Sequence, residues 1–185
     1  VTVEYSAASA SSTNEGTANN FPALLISGFL SSSTTIDVDI TGGTATGSGT
    51  DYTMSDPLTI TIPAGTYDGT IATDIVITVP TLVQDTDIEG NETITFAFTN
   101  LGANVTVGDA NTDTTAQSTH TYTITEDDTL LVEFTVTTLS GSEATATPAI
   151  TLTVSGGVSV GATTIEVANA GTGNATSGGT DFTFA

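Results

Sequence analysis

Ile36-Asp37-Val38-Asp39-Ile40 sets the fold class of this chain. Apolar and acidic residues alternate, which puts Ile36, Val38 and Ile40 on one face of an extended strand and both aspartates on the other. The same alternation recurs in both directions from this stretch. Leu58, Ile60 and Ile62 stand against Thr59 and Thr61; Ile75, Ile77 and Val79 share a face; so do Ile94, Phe96 and Phe98. Farther on come His120, Tyr122 and Ile124, then Val132, Phe134 and Val136, then Ile150, Leu152 and Val154. Turns are expected at Gly42-Gly43, Pro63-Ala64-Gly65, Glu89-Gly90-Asn91 and Gly156-Gly157. No stretch repeats apolar residues at helical spacing. Thr is the commonest residue, and its branched Cβ favours strands. Short strands at turn spacings near ten residues predict an all-β fold of antiparallel sandwiches. The absence of long helical crossovers argues against a parallel α/β sheet.

Composition narrows the function. The chain has 185 residues, no Lys or Arg and 21 Asp+Glu, a formal net charge of −21. Without a cationic side chain it cannot neutralise phosphates, so nucleic acid is excluded as a partner. Anionic membrane surfaces are excluded on the same ground. Chemistry built on a Lys nucleophile or an Arg clamp is absent too. Cys is 0, which removes disulfides, thiol catalysis and thiolate metal sites. No segment approaches the ~20 apolar residues of a membrane-spanning helix, so membrane insertion is not expected. At 37% hydrophobic and only 11% charged, the chain is too apolar to be read as disordered. Val1 carries no leader-like run, so any signal peptide is expected to have been removed or to lie outside this sequence.

The chain also repeats itself. Val3-Glu4-Tyr5 returns as Val132-Glu133-Phe134, and Gly43 to Thr53 (GTATGSGTDYT) returns as Gly173 to Thr183 (GNATSGGTDFT). Glu15 has a counterpart in Glu143. These offsets predict one complete repeat over 1–128 and the front of a second over 129–185, in tandem. The expectation for the second is that either a continuing chain or a neighbouring molecule completes its sheet.

Acids gather at the turns. Gln84-Asp85-Thr86-Asp87-Ile88-Glu89-Gly90-Asn91-Glu92 holds four carboxylates in eight residues from Asp85 on. They repel one another unless a cation sits among them. Asp85-x-Asp87-x-Glu89-Gly90 imitates the start of an EF-hand loop, but Phe96 stands where the closing Glu belongs and no helices flank it. Asp109-x-Asn111-x-Asp113 lacks the Gly and the Glu as well and is read as a polar hairpin loop.

Four motifs in order resemble the Calx-beta domain family: Glu15-Gly16; Gly49-Thr50-Asp51-Tyr52; Asp85 to Glu92; and Thr123-Ile124-Thr125-Glu126-Asp127-Asp128. The resemblance covers residues 1–128 and the front of the second repeat. It implies immunoglobulin-like sandwiches with Ca²⁺ held by loops at one end. It implies Glu15, Asp51, Asp85 and Glu89 as side-chain ligands and Asp87 through its backbone carbonyl. Glu126, Asp127 and Asp128 would reach in from the last strand, with Glu143 and Asp181 equivalent in the second repeat. Gln84 departs from the two adjacent acids usual in the family, and Glu126 replaces the more usual Asp. One calcium position is therefore expected to be weak or empty. The chemistry agrees independently, because oxygen donors without thiolate or a His cluster suit Ca²⁺ better than Zn²⁺ or copper.

Other signals are bland. His120 alternates with apolar strand residues and reads as a packed strand residue. No Ser or Thr has a visible base, and Trp is 0, so neither an enzyme nor a sugar-binding module is expected. The N-x-Thr sequons at Asn91, Asn104 and Asn174 are what a Thr-rich chain produces by chance. Isopeptide cross-links are impossible without Lys. The reading is a non-catalytic, calcium-binding structural repeat of a secreted adhesin or filament. Its partners would be neighbouring repeats or identical chains, plus a cell-surface or environmental ligand. The alternative is a filament subunit assembled by β-strand exchange, with calcium incidental.

Overall fold

The computed structural model describes residues 1–72, 75–142 and 149–175, and among them there is no helix. Glu143 and Asp181 lie outside the described residues. The strands are, in order, β1 (Thr2–Tyr5), β2 (Ser9–Ser11), β3 (Leu24–Leu30), β4 (Thr34–Gly43) and β5 (Tyr52–Thr53). Next come β6 (Leu58–Ile62), β7 (Gly65–Ile71), β8 (Thr81–Leu82), β9 (Asp87–Ile88) and β10 (Glu92–Thr99). The last are β11 (Thr106–Val107), β12 (Thr119–Ile124), β13 (Leu130–Phe134), β14 (Leu152–Gly156) and β15 (Val158–Ser159).

Two sheets form the sandwich, ordered β11-β1-β3-β7 and β2-β12-β10-β4-β6. Their alternating apolar residues meet between them. Val3, Tyr5, Leu24 and Ile26 come from the first, and Ile36, Val38, Ile60, Ile62, Ile94, Phe96 and Tyr122 from the second. Tyr5 stacks on Phe98 with ring centroids 4.1 Å apart, tying the layers together. His120 is fully buried, and its Nδ1 lies 2.8 Å from the Ala7 carbonyl oxygen. Burial lowers its pKa, so it sits in the core as a neutral ring.

The ladders are mixed rather than purely antiparallel, because β1–β11, β12–β2 and β9–β15 pair in parallel. The first two arise where the chain crosses between the sheets, from β1 to β2 and from β10 to β11. A strand arriving by such a crossing is not constrained by a hairpin to run antiparallel. The strand expected over Ile75, Ile77 and Val79 is absent. Ile75 and Ile77 are buried without joining a ladder, Val79 is exposed, and Pro80 offers no N–H to a sheet. Gly42-Gly43 is not a free turn either, since both residues pair with β10 at the end of β4, beside a bulge. A Cβ on Gly43 (φ 127°) would fall 2.0 Å from the Thr93 carbonyl oxygen, so the strands meet there only through glycine. Asp37 is buried rather than wet, and its carboxylate accepts from Asn100 Nδ2 at 2.9 Å.

Beyond the sandwich, β13 and β14 form a separate antiparallel pair. Val132 faces Val154 and Phe134 faces Leu152, as Val3 faces Ile26 and Tyr5 faces Leu24 in β1–β3. Gly156 (φ 97°) stands where Gly28 (φ 105°) stands in the first pair. Sequence similarity and register therefore coincide. Burial does not: Tyr5 is 0% exposed and Phe134 is 57% exposed.

Candidate metal centre

One end of the sandwich collects the acidic loops, and the ladders dictate which loops meet. Antiparallel pairing of Glu92 with Ile124 sets the segment after β12 beside the turn before β10. Parallel pairing of Thr123 with Ser11 carries the loop after β2, with Glu15, to the same end. Tyr52 pairs with Leu82, and Val83 N–H donates to the Asp51 carbonyl oxygen at 2.9 Å, which brings Asp51 next to Asp85.

The acids sort into two triads. Carboxylate oxygens of Glu15, Asp85 and Asp128 lie within 4.8 Å of one another, and so do those of Asp51, Glu89 and Glu92. Two oxygens bound to one Ca²⁺ at about 2.4 Å can be no more than about 4.8 Å apart, so each group has the span of a coordination shell. Every member of the triads except Asp128 lines a cavity of about 10 Å³ that Val83, Gly90 and Ile124 complete. That is about the room one water-sized particle needs.

The remaining acids have other partners. Glu126 accepts from the backbone N–H groups of Glu89 (2.7 Å), Gly90 (2.9 Å) and Asp128 (2.8 Å). Burial pushes its pKa up, but these amides prevail and hold it below the usual range. Asp127 belongs to neither triad and accepts from Gln84 Nε2 at 3.2 Å. Asp87 donates its own N–H to Asp85 Oδ1 at 2.7 Å. The Asp109–Asp113 loop closes on itself, with Asp109 accepting from the N–H groups of Asp113 and Thr114.

The electrostatics show a site short of positive charge. Burial, then the charges of Glu126 and Asp85, raises Glu15 to about 7. Burial, then Asp51, raises Glu92 to about 7. Glu89 and Asp128 are raised as well, by burial and then by neighbouring carboxylates. Glu15 is only 8% exposed, and its Oε2 has no hydrogen-bond donor; Asp128 Oδ2 is buried and unpartnered too. Two orphaned acceptors among carboxylates, with hard oxygen donors throughout, fit a calcium ion.

Glu92 is the member of these triads that sequence reading left unassigned. The spacing Glu89-Gly90-Asn91-Glu92 was its only signal, and β10 aims it back at Asp51.

No family model matches this chain, and no curated protein matches it. Among solved structures it is similar to the crystal structure of CBD12 from CALX1.2, a Calx-beta domain structure. The TM-score is 0.50 at 15% identity, over 69% of this chain and 44% of that one. This chain therefore spans less than half of that structure's length. The likeness, with paired sheets and no helix among the described residues, shows an all-β sandwich fold like that of the Calx-beta domain. Among the described residues no helix is long and apolar enough to cross a membrane.

Proposed function

We propose that this chain is a non-catalytic, calcium-binding structural segment of an extracellular repeat protein, of adhesin or filament type. The observation that carries the reading is Glu15: a carboxylate buried against Asp85 and Asp128, with an unpartnered oxygen, in a chain that has no Lys or Arg to answer it. Glu15, Asp85 and Asp128 would hold one Ca²⁺, and Asp51, Glu89 and Glu92 a second. Partly exposed carboxylate sites of this kind resemble extracellular modules, with Kd on the order of 10⁻⁴–10⁻³ M. Such sites fill outside cells, where calcium is millimolar, which supports a secreted location.

Calcium would also stiffen the joint between two repeats, 1–128 and 129–185. Asp127 and Asp128 lead directly into β13, and β15 pairs with β9 inside the acidic turn. The apolar face of Val132, Phe134 and Val154 supports a second reading, assembly by strand exchange with identical chains.

Calorimetry and melting test the primary reading. At 1 mM calcium each site would contribute roughly 0.4–1.4 kcal/mol. Two sites would raise Tm by about 2–10 °C over chelator. Glu15→Gln is expected to remove one ion and about half of that rise. No calcium uptake, with equal Tm in calcium and chelator, would falsify the reading.

A further inference from the structure

We propose that Glu126 is a positioning residue shared by both triads: its carboxylate holds the Glu89 turn and Asp128 in place before any ion arrives, and it is not itself a ligand. This rests on the calcium reading of the triads. It departs from the family resemblance, which has Glu126 reaching in as a ligand.

Glu126 belongs to neither triad, yet it hydrogen-bonds to members of both. Its Oε2 accepts from the N–H groups of Glu89 at 2.7 Å and Gly90 at 2.9 Å, and Glu89 is a member of the second triad. Its Oε1 accepts from Asp128 N–H at 2.8 Å, and Asp128 is a member of the first. Two consecutive amides converge on one oxygen where Gly90 adopts φ 85°, and such a pair is a backbone seat for an anion. A return contact runs the other way, since Glu126 N–H donates to Asn91 Oδ1 at 3.0 Å. The end of β12 and the turn before β10 are therefore stitched in both directions, beyond the ladder that ends at Glu92 and Ile124.

Three amides answer the charge of Glu126, whereas Glu15 and Asp128 each keep a buried oxygen with no donor. Cations are expected at the orphaned oxygens rather than at oxygens already supplied with N–H groups. The bend closed by Asp128 N–H also bears on which acid turns inward: Asp128 joins a triad, and Asp127 beside it stays exposed. Glu126 then acts as the outer partners of metal ligands do, by fixing where the ligands stand.

The experiment compares the unaltered 185-residue chain with Glu126→Gln and Glu126→Asp. Calcium calorimetry counts the ions, and luminescence lifetimes of bound terbium in H₂O and D₂O count the waters on them. Glu126→Gln removes the charge; Glu126→Asp keeps it but draws it back from the amides by one methylene. Both variants are expected to bind two ions, each about 10-fold more weakly than the unaltered chain does. Terbium at saturation is expected to carry the same number of waters in all three, because no ligand oxygen is lost. A variant that binds one ion, or whose terbium gains a water, would make Glu126 a ligand and overturn the proposal. So would a Glu126→Asp variant with unchanged affinities, since a carboxylate acting only through its charge needs no contact with the amides. If neither variant folds, hydrogen exchange in the unaltered chain decides. In chelator the Glu89, Gly90 and Asp128 amides are expected to be protected, and free exchange there would overturn the proposal. An unaltered chain that takes up neither calcium nor terbium would instead sink the calcium reading, so the two failures are told apart.

Discussion

Glu15 and Glu92 are where protons and a bound cation would compete for the same oxygens. Each is raised from 4.5 to about 7 in the folded chain, so between those values the native state binds more protons than the unfolded one. Stability in chelator therefore falls as pH rises from about 4.5 to about 7, and levels off above that. The raised Glu89 and Asp128 add to this slope, and the lowered Glu126 subtracts from it. His120, kept neutral by burial, gives the opposite slope below 6.5, but it does so with or without calcium. The difference between melting curves in calcium and in chelator isolates the carboxylates. That difference is expected to be small near pH 5 and to grow to a plateau above about pH 7; a difference independent of pH would sink the assignment. Single residues were unevenly legible. The acids of the turn announced themselves by crowding. Gln84 was legible only as an exception, because its partner is a Gly16 backbone amide 68 positions away. Glu4 gave no signal at all. Its carboxylate is fully buried and accepts from the N–H groups of Ala110, Asn111 and Gln117, a pairing that only the folded loop creates.

Among the elements, those whose apolar residues alternate against a second sheet were legible, and β4, β6, β10 and β12 follow the pattern. Two-residue strands such as β5, β8 and β11 exist because a neighbour passes by, so no periodicity marks them. The β9–β15 pair is the most consequential of these. Val158 N–H donates to the Thr86 carbonyl oxygen at 2.6 Å, so the segment after β14 lies along the turn that carries Asp85 and Glu89. Gly157 permits that approach. A Cβ there would fall 2.8 Å from Ile88 Cγ1 and 2.9 Å from the Thr86 carbonyl oxygen, and the carbonyl cannot move aside without breaking the pair. Gly157→Ala is expected to open the joint while leaving the sandwich intact. Hydrogen exchange reads this directly: the Gly157 and Val158 amides should lose protection, and those of β10 should keep it. Unchanged protection at Val158 would mean that the joint does not depend on this contact.

For the whole molecule the governing quantity is a charge of −21 without a compensating side chain. In most proteins added salt weakens favourable ion pairs along with unfavourable repulsion, and the two effects oppose each other. Here the first effect is nearly missing. The amino terminus donates to the Asn104 carbonyl oxygen at 2.7 Å rather than to an acid, and His120 is neutral. Screening should therefore act in one direction. In chelator, Tm is expected to rise steadily with NaCl from about 0.01 M, where the Debye length is about 30 Å, towards 1 M, where it is about 3 Å. Calcium bound at the triads would act on the same repulsion but at fixed places, and two bound ions would leave a charge of −17. That is a small change in total charge, so a purely diffuse effect would be small as well. Because the ions would sit where Glu15 and Asp128 keep orphaned oxygens, millimolar calcium is expected to raise Tm further than NaCl of matched ionic strength. Equal rises under the two salts would show that the acids act only as a diffuse charge. A calcium increment that persists in NaCl, and is reduced by Glu15→Gln, would place the effect at the end of the sandwich where the loops converge.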